Sequence, residues 1–127
     1  VFAYVANALS NSVTVIDLAS NSVIDTIAVG VRPEGVAFTP NGAFAYVTNS
    51  STDNVSVIDT ATRRTVVTIP VGGQPLGVAL SPDGAFVYVV NSFTNSVSVI
   101  DTTSNQVITA VFGVGETPSE IAIGTVR

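Results

Sequence analysis

Apolar side chains recur in short runs that are separated by polar turns. In the middle of the chain these runs are GVAFT (35–39), AFAYVT (43–48), VSVID (55–59) and TVVTIPV (65–71). They are rich in β-branched and aromatic residues, which favour strands, and we find no apolar stripe with the 3.6-residue period of a helix. PNG (40–42) predicts a tight turn, because Pro fixes φ and Asn-Gly tolerates positive φ. Apolar side chains occupy both faces of these strands, so the pattern predicts a sheet buried on both sides.

This four-strand unit occurs three times. Equivalent residues are 42 positions apart, as in Tyr4, Tyr46 and Tyr88, in Asn7, Asn49 and Asn91, and in Asp17, Asp59 and Asp101. Periods of about 40 to 45 residues that contain several short strands are the signature of propeller blades. We therefore predict an all-β fold, a β-propeller of four-stranded antiparallel blades with three blades per chain. Residues 1–127 form one propeller segment with repeats at 1–43, 44–85 and 86–127.

The units are circularly offset along the chain. The chain starts on the second strand of a blade and ends at SEIAIGTVR (119–127), which the pattern predicts to be the first strand of another. Propellers close with about four to eight blades, and an open wedge of three would expose apolar blade faces. We therefore expect a head-to-tail homo-oligomer in which the last strand of one chain completes a blade of the next. A dimer with six blades is favoured over a trimer with nine, and a designed or excised propeller fragment is the other interpretation.

Short motifs recur within the units. AYVTN stands at 45–49, with the variants YVAN at 4–7 and YVVN at 88–91, and SVIDT, IPVG and PLGVALSPDG accompany them. Together these motifs resemble the YVTN-repeat β-propellers of surface-layer and related secreted proteins. The resemblance covers essentially the whole chain and implies propeller blades and a location outside the cell or at its surface.

The composition argues against several classes of partner and of chemistry. The chain has nine acids, four Arg and no Lys, for a net charge of −5, so phosphate backbones and anionic membranes should repel it. No run reaches the roughly 18 apolar residues that a membrane helix needs. Cys and His are absent, which removes disulfides, thiolate nucleophiles, imidazole bases and soft metal sites. We expect no nucleic acid, no membrane insertion and no cofactor, with Ca²⁺ bound by carboxylate and amide oxygens as the alternative.

The polar residues that recur in every unit are interpreted as architecture. Each recurring Asp follows the third strand of its unit and is expected to bond the backbone of the next turn. Each recurring Asn is expected to cap the loop after the second strand. The recurring Tyr residues are expected to pack between blades.

The loops that differ between copies are the more informative positions. VRPEG (31–35), GQPLG (73–77) and ETPSE (116–120) precede the first strands, and in a propeller such loops lie near the mouth of the central channel. Functional residues usually occupy variable loops on a rigid scaffold. The candidate ligand-binding residues on this face are Arg32, Glu34, Gln74, Glu116 and Glu120, with Asp53 and Phe93 farther out.

Two functional interpretations follow from this face. The main one is a non-enzymatic extracellular or surface-layer-type scaffold that presents a binding face to a protein, a glycan or a small ligand, with no catalytic residue and no metal ligand. The alternative is a propeller lyase or hydrolase in which Glu34, Glu116 and Glu120 supply acid–base groups and Arg32 clamps a carboxylate or an oxyanion. A Ser–His–Asp triad is impossible without His.

Overall fold

The computed structural model describes residues 1–126, and this part of the chain consists of strands, turns and loops without a helix. The strands are β1 (Phe2–Asn7), β2 (Ser12–Asp17), β3 (Ser22–Ala28), β4 (Pro33–Phe38), β5 (Phe44–Asn49), β6 (Asn54–Asp59), β7 (Arg64–Pro70), β8 (Pro75–Leu80), β9 (Phe86–Asn91), β10 (Ser96–Asp101) and β11 (Gln106–Phe112). No helix long and apolar enough to cross a membrane is found in the described residues.

The strands form three separate antiparallel sheets in chain order. Blade 1 contains β1 to β3, blade 2 contains β4 to β7, and blade 3 contains β8 to β11. Neighbouring strands follow one another directly along the chain, as in the up-and-down sheets of propeller blades. The predicted all-β propeller fold with repeated four-stranded blades is confirmed.

The same register recurs in each blade. In blade 2 the β5–β6 pair runs from Phe44 opposite Asp59 to Asn49 opposite Asn54, and β1–β2 and β9–β10 repeat this register. The recurring Asp has the turn role that the sequence predicts, because Asp59 Oδ1 accepts a hydrogen bond from the N–H of Ala61 at 2.9 Å. Asp residues in the other two blades bond the residue two positions on in the same way.

The hydrophobic core lies between blades. The cluster between blades 1 and 2 consists of Val13, Val15, Ile27, Ala45, Val47 and Ile58. The cluster between blades 2 and 3 consists of Tyr46, Val55, Val57, Ile69, Val87, Val89 and Ile100. The middle strands of blade 2, β5 and β6, are therefore buried on both faces, and stacking of blades supplies the burial that stabilises the fold.

The outer faces of blades 1 and 3 are uncovered. Ile27 and Ile69, at equivalent positions of β3 and β7, are each 3% exposed, whereas their counterpart Val111 on β11 is 46% exposed. No further blade packs on Val111 among the described residues. Val5 is exposed on the opposite end of the wedge, so the three blades form an open segment, as expected from the sequence.

The predicted strand near the C-terminus is not formed. Residues 113–126 contain no strand, and Arg127 lies outside the described residues. A strand needs a hydrogen-bonding neighbour, and the described residues offer none beyond blade 3. The segment nevertheless lies against β8, since the carbonyl oxygen of Ser119 is 2.7 Å from where a Cβ on Gly77 would be.

Candidate functional site at the channel mouth

Close packing of the first strands of successive blades forms the wall of the candidate site. A Cβ on Gly35 would lie 2.6 Å from the carbonyl oxygen of Leu76 on the next blade, a distance that no real Cβ tolerates. The Thr48 hydroxyl joins the two strands, since it donates to Leu76 O at 2.6 Å and accepts from the Gly35 N–H at 2.9 Å. The glycine therefore sets how closely blades 2 and 3 approach along this wall.

A cavity of about 330 Å³ opens against these strands. Its lining residues are Glu34, Gly35, Val36, Leu76, Gly77, Val78, Ser119 and Glu120. Two acids from the sequence-predicted set, Glu34 and Glu120, thus share one cavity although 86 positions separate them in the chain. They come together because Glu34 lies on β4, Glu120 lies in the C-terminal segment, and both of these segments pack against β8.

Arg32 forms an ion pair with one of these acids. Its Nε donates to Glu34 Oε2 at 3.0 Å, with the two side chains 53% and 32% exposed. An exposed pair of this kind contributes little to stability. It does orient the Glu34 carboxylate and leaves the other N–H groups of the Arg32 fork, which has five donors, for a further acceptor.

A recurring hydrogen bond fixes the loops of this face. Asn11 Oδ1 accepts from the Arg32 N–H at 3.0 Å, and Asp53 Oδ1 accepts from the Gln74 N–H at 2.9 Å. The third copy uses Asn95, which accepts from the backbone of the ETPSE loop at 2.8 Å. Each bond joins one blade to the loop that leads into the next blade. Asp53 therefore serves the contact between blades, a role that its two counterparts share.

These loops contain strained backbone. The loop residues Arg32, Gln74 and Thr117 have positive φ of 58°, 53° and 46°, a region that residues other than Gly, Asn and Asp rarely adopt. Such strain costs of the order of 1–3 kcal/mol and clusters at functional sites. All three copies carry it at the same place, beside the shared cavity.

Five of the predicted site residues lie outside the cavity lining, namely Arg32, Asp53, Gln74, Phe93 and Glu116. Phe93 is 80% exposed, and its N–H donates to the carbonyl oxygen of Gly73 at 3.0 Å. Glu116 is exposed on the loop before the C-terminal segment. Within residues 1–126, no three acidic side chains come close enough together to hold a metal ion. The structure therefore brings together Glu34 and Glu120 but does not add Glu116 to them.

Sequence reasoning missed the residues that shape the wall. Gly35, Gly77 and Ser119 line the cavity, and Asn11 and Asn95 share the role of Asp53. The 42-residue spacing of Asn11, Asp53 and Asn95 is a signal that could have identified the recurring hydrogen bond. Gly35 and Gly77 each stand two residues after a Pro, and this recurrence is a signal for a backbone contact that recurs from one repeat unit to the next.

A family model described as "Lactonase, 7-bladed beta-propeller" matches residues 1–107. The chain belongs to this lactonase family. The match covers most of blades 1 to 3. The predicted membership of a β-propeller family is therefore confirmed. Among curated proteins, no sequence matches the chain.

Solved structures resemble this lactonase-family propeller closely. A structure titled "Kuenenia stuttgartiensis Hydrazine Synthase" is 36% identical, with a TM-score of 0.91 over 94% of this chain and 34% of that chain. A protein of unknown function from Desulfotomaculum acetoxidans is 23% identical, with a TM-score of 0.82 over 97% of this chain and 42% of that chain. "Dihydro-heme d1 dehydrogenase NirN in complex with DHE" is 21% identical, with a TM-score of 0.74 over 87% and 24% of the two chains. The last two structures, which are under 25% identical, show the fold alone. The chain spans less than half the length of each of the three proteins.

The predicted non-enzymatic scaffold is wrong. The match to the lactonase family model and the likeness to the hydrazine synthase structure point instead toward an enzyme-type propeller. The error has a physical cause, because the recurring Tyr, Asn and Asp residues specify blades, and scaffolds and enzymes use the same blades. The chemistry depends on the loops that do not repeat, and those loops have no motif specific enough to name a reaction.

Proposed function

We propose that this lactonase-family propeller contributes a hydrolase site at the channel mouth and that its substrate is a lactone. The observation that carries the proposal is the shared cavity of Glu34 and Glu120 on the wall of first strands. Two carboxylates at one cavity, one of them held by an arginine, are a set of groups suited to acid–base catalysis. The family name supplies the substrate class, a cyclic ester.

The two acids have different surroundings and receive different roles. Glu34 is ion-paired with Arg32, whereas the described residues contain no ion pair to Glu120. Glu120 is therefore assigned as the general base that accepts a proton from water as the water oxygen attacks the lactone carbonyl. The Arg32 N–H groups that Glu34 leaves free stabilise the oxyanion.

Collapse of the tetrahedral intermediate completes the reaction. The ring C–O bond breaks, and the departing alkoxide takes the proton back from Glu120, so one water is consumed and one hydroxy acid is formed. Glu34 does not exchange a proton in this scheme and acts by orienting the guanidinium. The reaction needs no oxidant or reductant.

The test compares three isosteric variants. Glu120→Gln removes the base and is expected to lower kcat on a lactone by about 100-fold or more, since general-base catalysis contributes about 10² to 10⁴. Glu34→Gln is expected to lower kcat less, because Arg32 keeps its charge. Glu116→Gln is the matched control, as Glu116 lies on the same face outside the cavity. Equal turnover by all three variants would refute the assignment.

We also propose that further blades cover the two open faces. The expected head-to-tail dimer supplies three blades from a second copy and gives six. A seven-bladed ring of the family type instead needs four blades besides these three. The native mass in solution distinguishes the two, because a single-chain mass of 13.0 kDa for a cooperatively folded protein contradicts the dimer.

For the repeat itself, we propose that each unit is of the YVTN type. The support is the motif YVTN at 46–49 and its two variants, all at the end of the second strand. In the structure the final Asn49 of this motif donates to Asn54 Oδ1 and to Ser56 Oγ, both at 2.9 Å. A search for the same amide-to-hydroxyl bond in other YVTN blades tests whether the motif name describes a structural unit.

A further inference from the structure

A second cavity lies between blades 1 and 2, at the end of the blades opposite the channel mouth. Its volume is about 350 Å³, and its lining residues are Phe2, Tyr4, Phe38, Gly42, Thr60 and Arg63. We call it the aromatic groove. The Tyr4 and Phe38 rings meet edge to face with their centroids 4.9 Å apart, and the guanidinium carbon of Arg63 lies 5.6 Å from the centre of the Phe2 ring.

The equivalent position between blades 2 and 3 shows what the repeat alone requires. There Tyr46, the counterpart of Tyr4, donates its hydroxyl proton to Asn105 Oδ1 at 2.5 Å. Arg63 is the counterpart of Asn105 in blade 2. Because a guanidinium has no acceptor atom, it cannot replace that hydrogen bond. The change from Asn to Arg both adds a cation to the groove and leaves the Tyr4 hydroxyl free to donate elsewhere.

The backbone at this position disfavours arginine. Asn21, Arg63 and Asn105 are equivalent, with φ of 54°, 57° and 54°. Asn tolerates this left-handed conformation, whereas a long side chain does so at a cost. Blade packing needs only the Asn that the other two copies have. A strained Arg directed into a cavity therefore indicates a role that the repeat does not explain.

The wall of the groove also departs from the repeat. Phe38 stands where the next blade has Leu80, which adds a third ring. Phe2 is 47% exposed, and its counterpart Phe44 is still 37% exposed although β4 pairs beside it. The ring at this position therefore stays partly exposed whether or not a strand lies beside it.

Arg63 is the cationic side chain that lines the groove, and its carboxylate partner is distant. Arg63 is loosely paired with Asp25, with 3.8 Å between Nη1 and Oδ2. A ligand carboxylate can form shorter, charge-assisted bonds to the same guanidinium. Burial raises the pKa of Tyr4, the nearby Asp25 and Asp59 charges raise it further, and Arg63 opposes them. The phenol therefore stays protonated at neutral pH and can donate a hydrogen bond.

We propose that the aromatic groove binds a small aromatic carboxylate. The ligand ring packs against Phe2 and Phe38, and its carboxylate accepts hydrogen bonds from Arg63 and from the Tyr4 hydroxyl. A cavity of this size lies within the range of about 300 to 1,000 Å³ of small-molecule sites. The groove uses no residue of the channel-mouth site, so this proposal stands or falls independently of the hydrolase.

Calorimetric titration of the 127-residue chain with benzoate tests the proposal, with benzyl alcohol as a neutral ligand of the same shape. Benzoate is expected to bind with a dissociation constant in the millimolar range or tighter. Arg63→Asn restores the residue of the other copies, so the fold should be kept while benzoate binds at least about tenfold more weakly. Asp25→Asn removes the competing carboxylate and should tighten binding.

The variants separate a binding role from a structural one. A thermal unfolding curve shows whether Arg63→Asn is as stable as the parent chain, as expected if the Tyr4 hydroxyl regains an acceptor. Phe38→Leu, which also restores the repeat residue, should weaken benzoate binding without unfolding the chain. The proposal is overturned if the parent chain does not bind benzoate, if Arg63→Asn binds it equally well, or if benzyl alcohol binds as tightly as benzoate.

Discussion

A single methyl group on the channel wall tests how closely successive blades must approach. In Gly35→Ala the new Cβ would lie 2.6 Å from the carbonyl oxygen of Leu76, 3.1 Å from Thr48 Oγ1 and 3.2 Å from Val78 Cγ1. The first contact is with backbone, so a side-chain rotation cannot relieve it. Blades 2 and 3 must therefore separate locally, and the channel wall opens.

The expected cost follows from two contributions. Overpacking of a closely packed site costs about 1–3 kcal/mol. The bond from Thr48 Oγ1 to Leu76 O, now 2.6 Å long, is stretched when Leu76 moves, and loss of such a bond costs about 0.5–1.5 kcal/mol. The free energy of unfolding should fall by about 1.5–4.5 kcal/mol in total.

Urea unfolding followed by circular dichroism measures this change. With a urea m-value of about 2 kcal/mol/M, the midpoint should fall by about 0.8–2.2 M. Gly115→Ala is the matched control, since within residues 1–126 no atom beyond its chain neighbours lies within 4 Å of its added Cβ, and it corrects for the effect of alanine on the unfolded chain. If Gly35→Ala and Gly115→Ala unfold at the same midpoint, the blades are not held at the distance described.

Two further predictions concern contacts between blades. Asp53→Ala should lower the free energy of unfolding by about 1 kcal/mol because the Gln74 N–H loses its acceptor. Asp53→Asn keeps an acceptor and should have the stability of the parent. Equal urea midpoints for the two variants would contradict this prediction. Burial raises the pKa of Tyr46, so its contribution to stability is full below about pH 10, the usual tyrosine pKa, and is lost as pH rises through the raised value. Tyr46→Phe should therefore be less stable than the parent at pH 8, and it should lose less stability than the parent between pH 8 and 11. Parallel pH profiles of the urea midpoints of the two proteins would count against a buried phenol.

Most of the fold follows from the sequence because blade architecture repeats. The four predicted strands of the middle unit agree with β4 to β7 to within two residues, since turn residues such as Pro40 and Gly42 mark where strands end. The predicted C-terminal strand is not formed among the described residues, and the reason is tertiary. Its residues have strand propensity, but the described residues provide no partner strand for them.

From the sequence, the candidate site was predictable only as one face of the propeller and not as a set of residues around one cavity. Loop variation predicts a functional face at the channel mouth, and the structure shows that Glu34 and Glu120 of the predicted set line one cavity. The sequence could not separate Glu116 from these two, because the third copy of the loop is shifted by one residue: Pro118 lies 43 positions after Pro75, whereas Pro75 lies 42 after Pro33. The closeness of Gly35 to the next blade depends on blade stacking, which no local pattern specifies. The aromatic groove escaped notice because the positions of Arg63 and Phe38 become informative only when equivalent grooves are compared.

Hydrolysis of a lactone by the Glu120→Gln variant tests the central claim most directly. The rate of acid release from a panel of γ- and δ-lactones is measured for the parent, Glu120→Gln and Glu116→Gln in preparations of equal fold and native mass. The account predicts turnover by the parent and by Glu116→Gln, with a loss of about 100-fold or more in Glu120→Gln. Turnover by Glu120→Gln at the parental rate, or no turnover of any lactone by the parent, would contradict it.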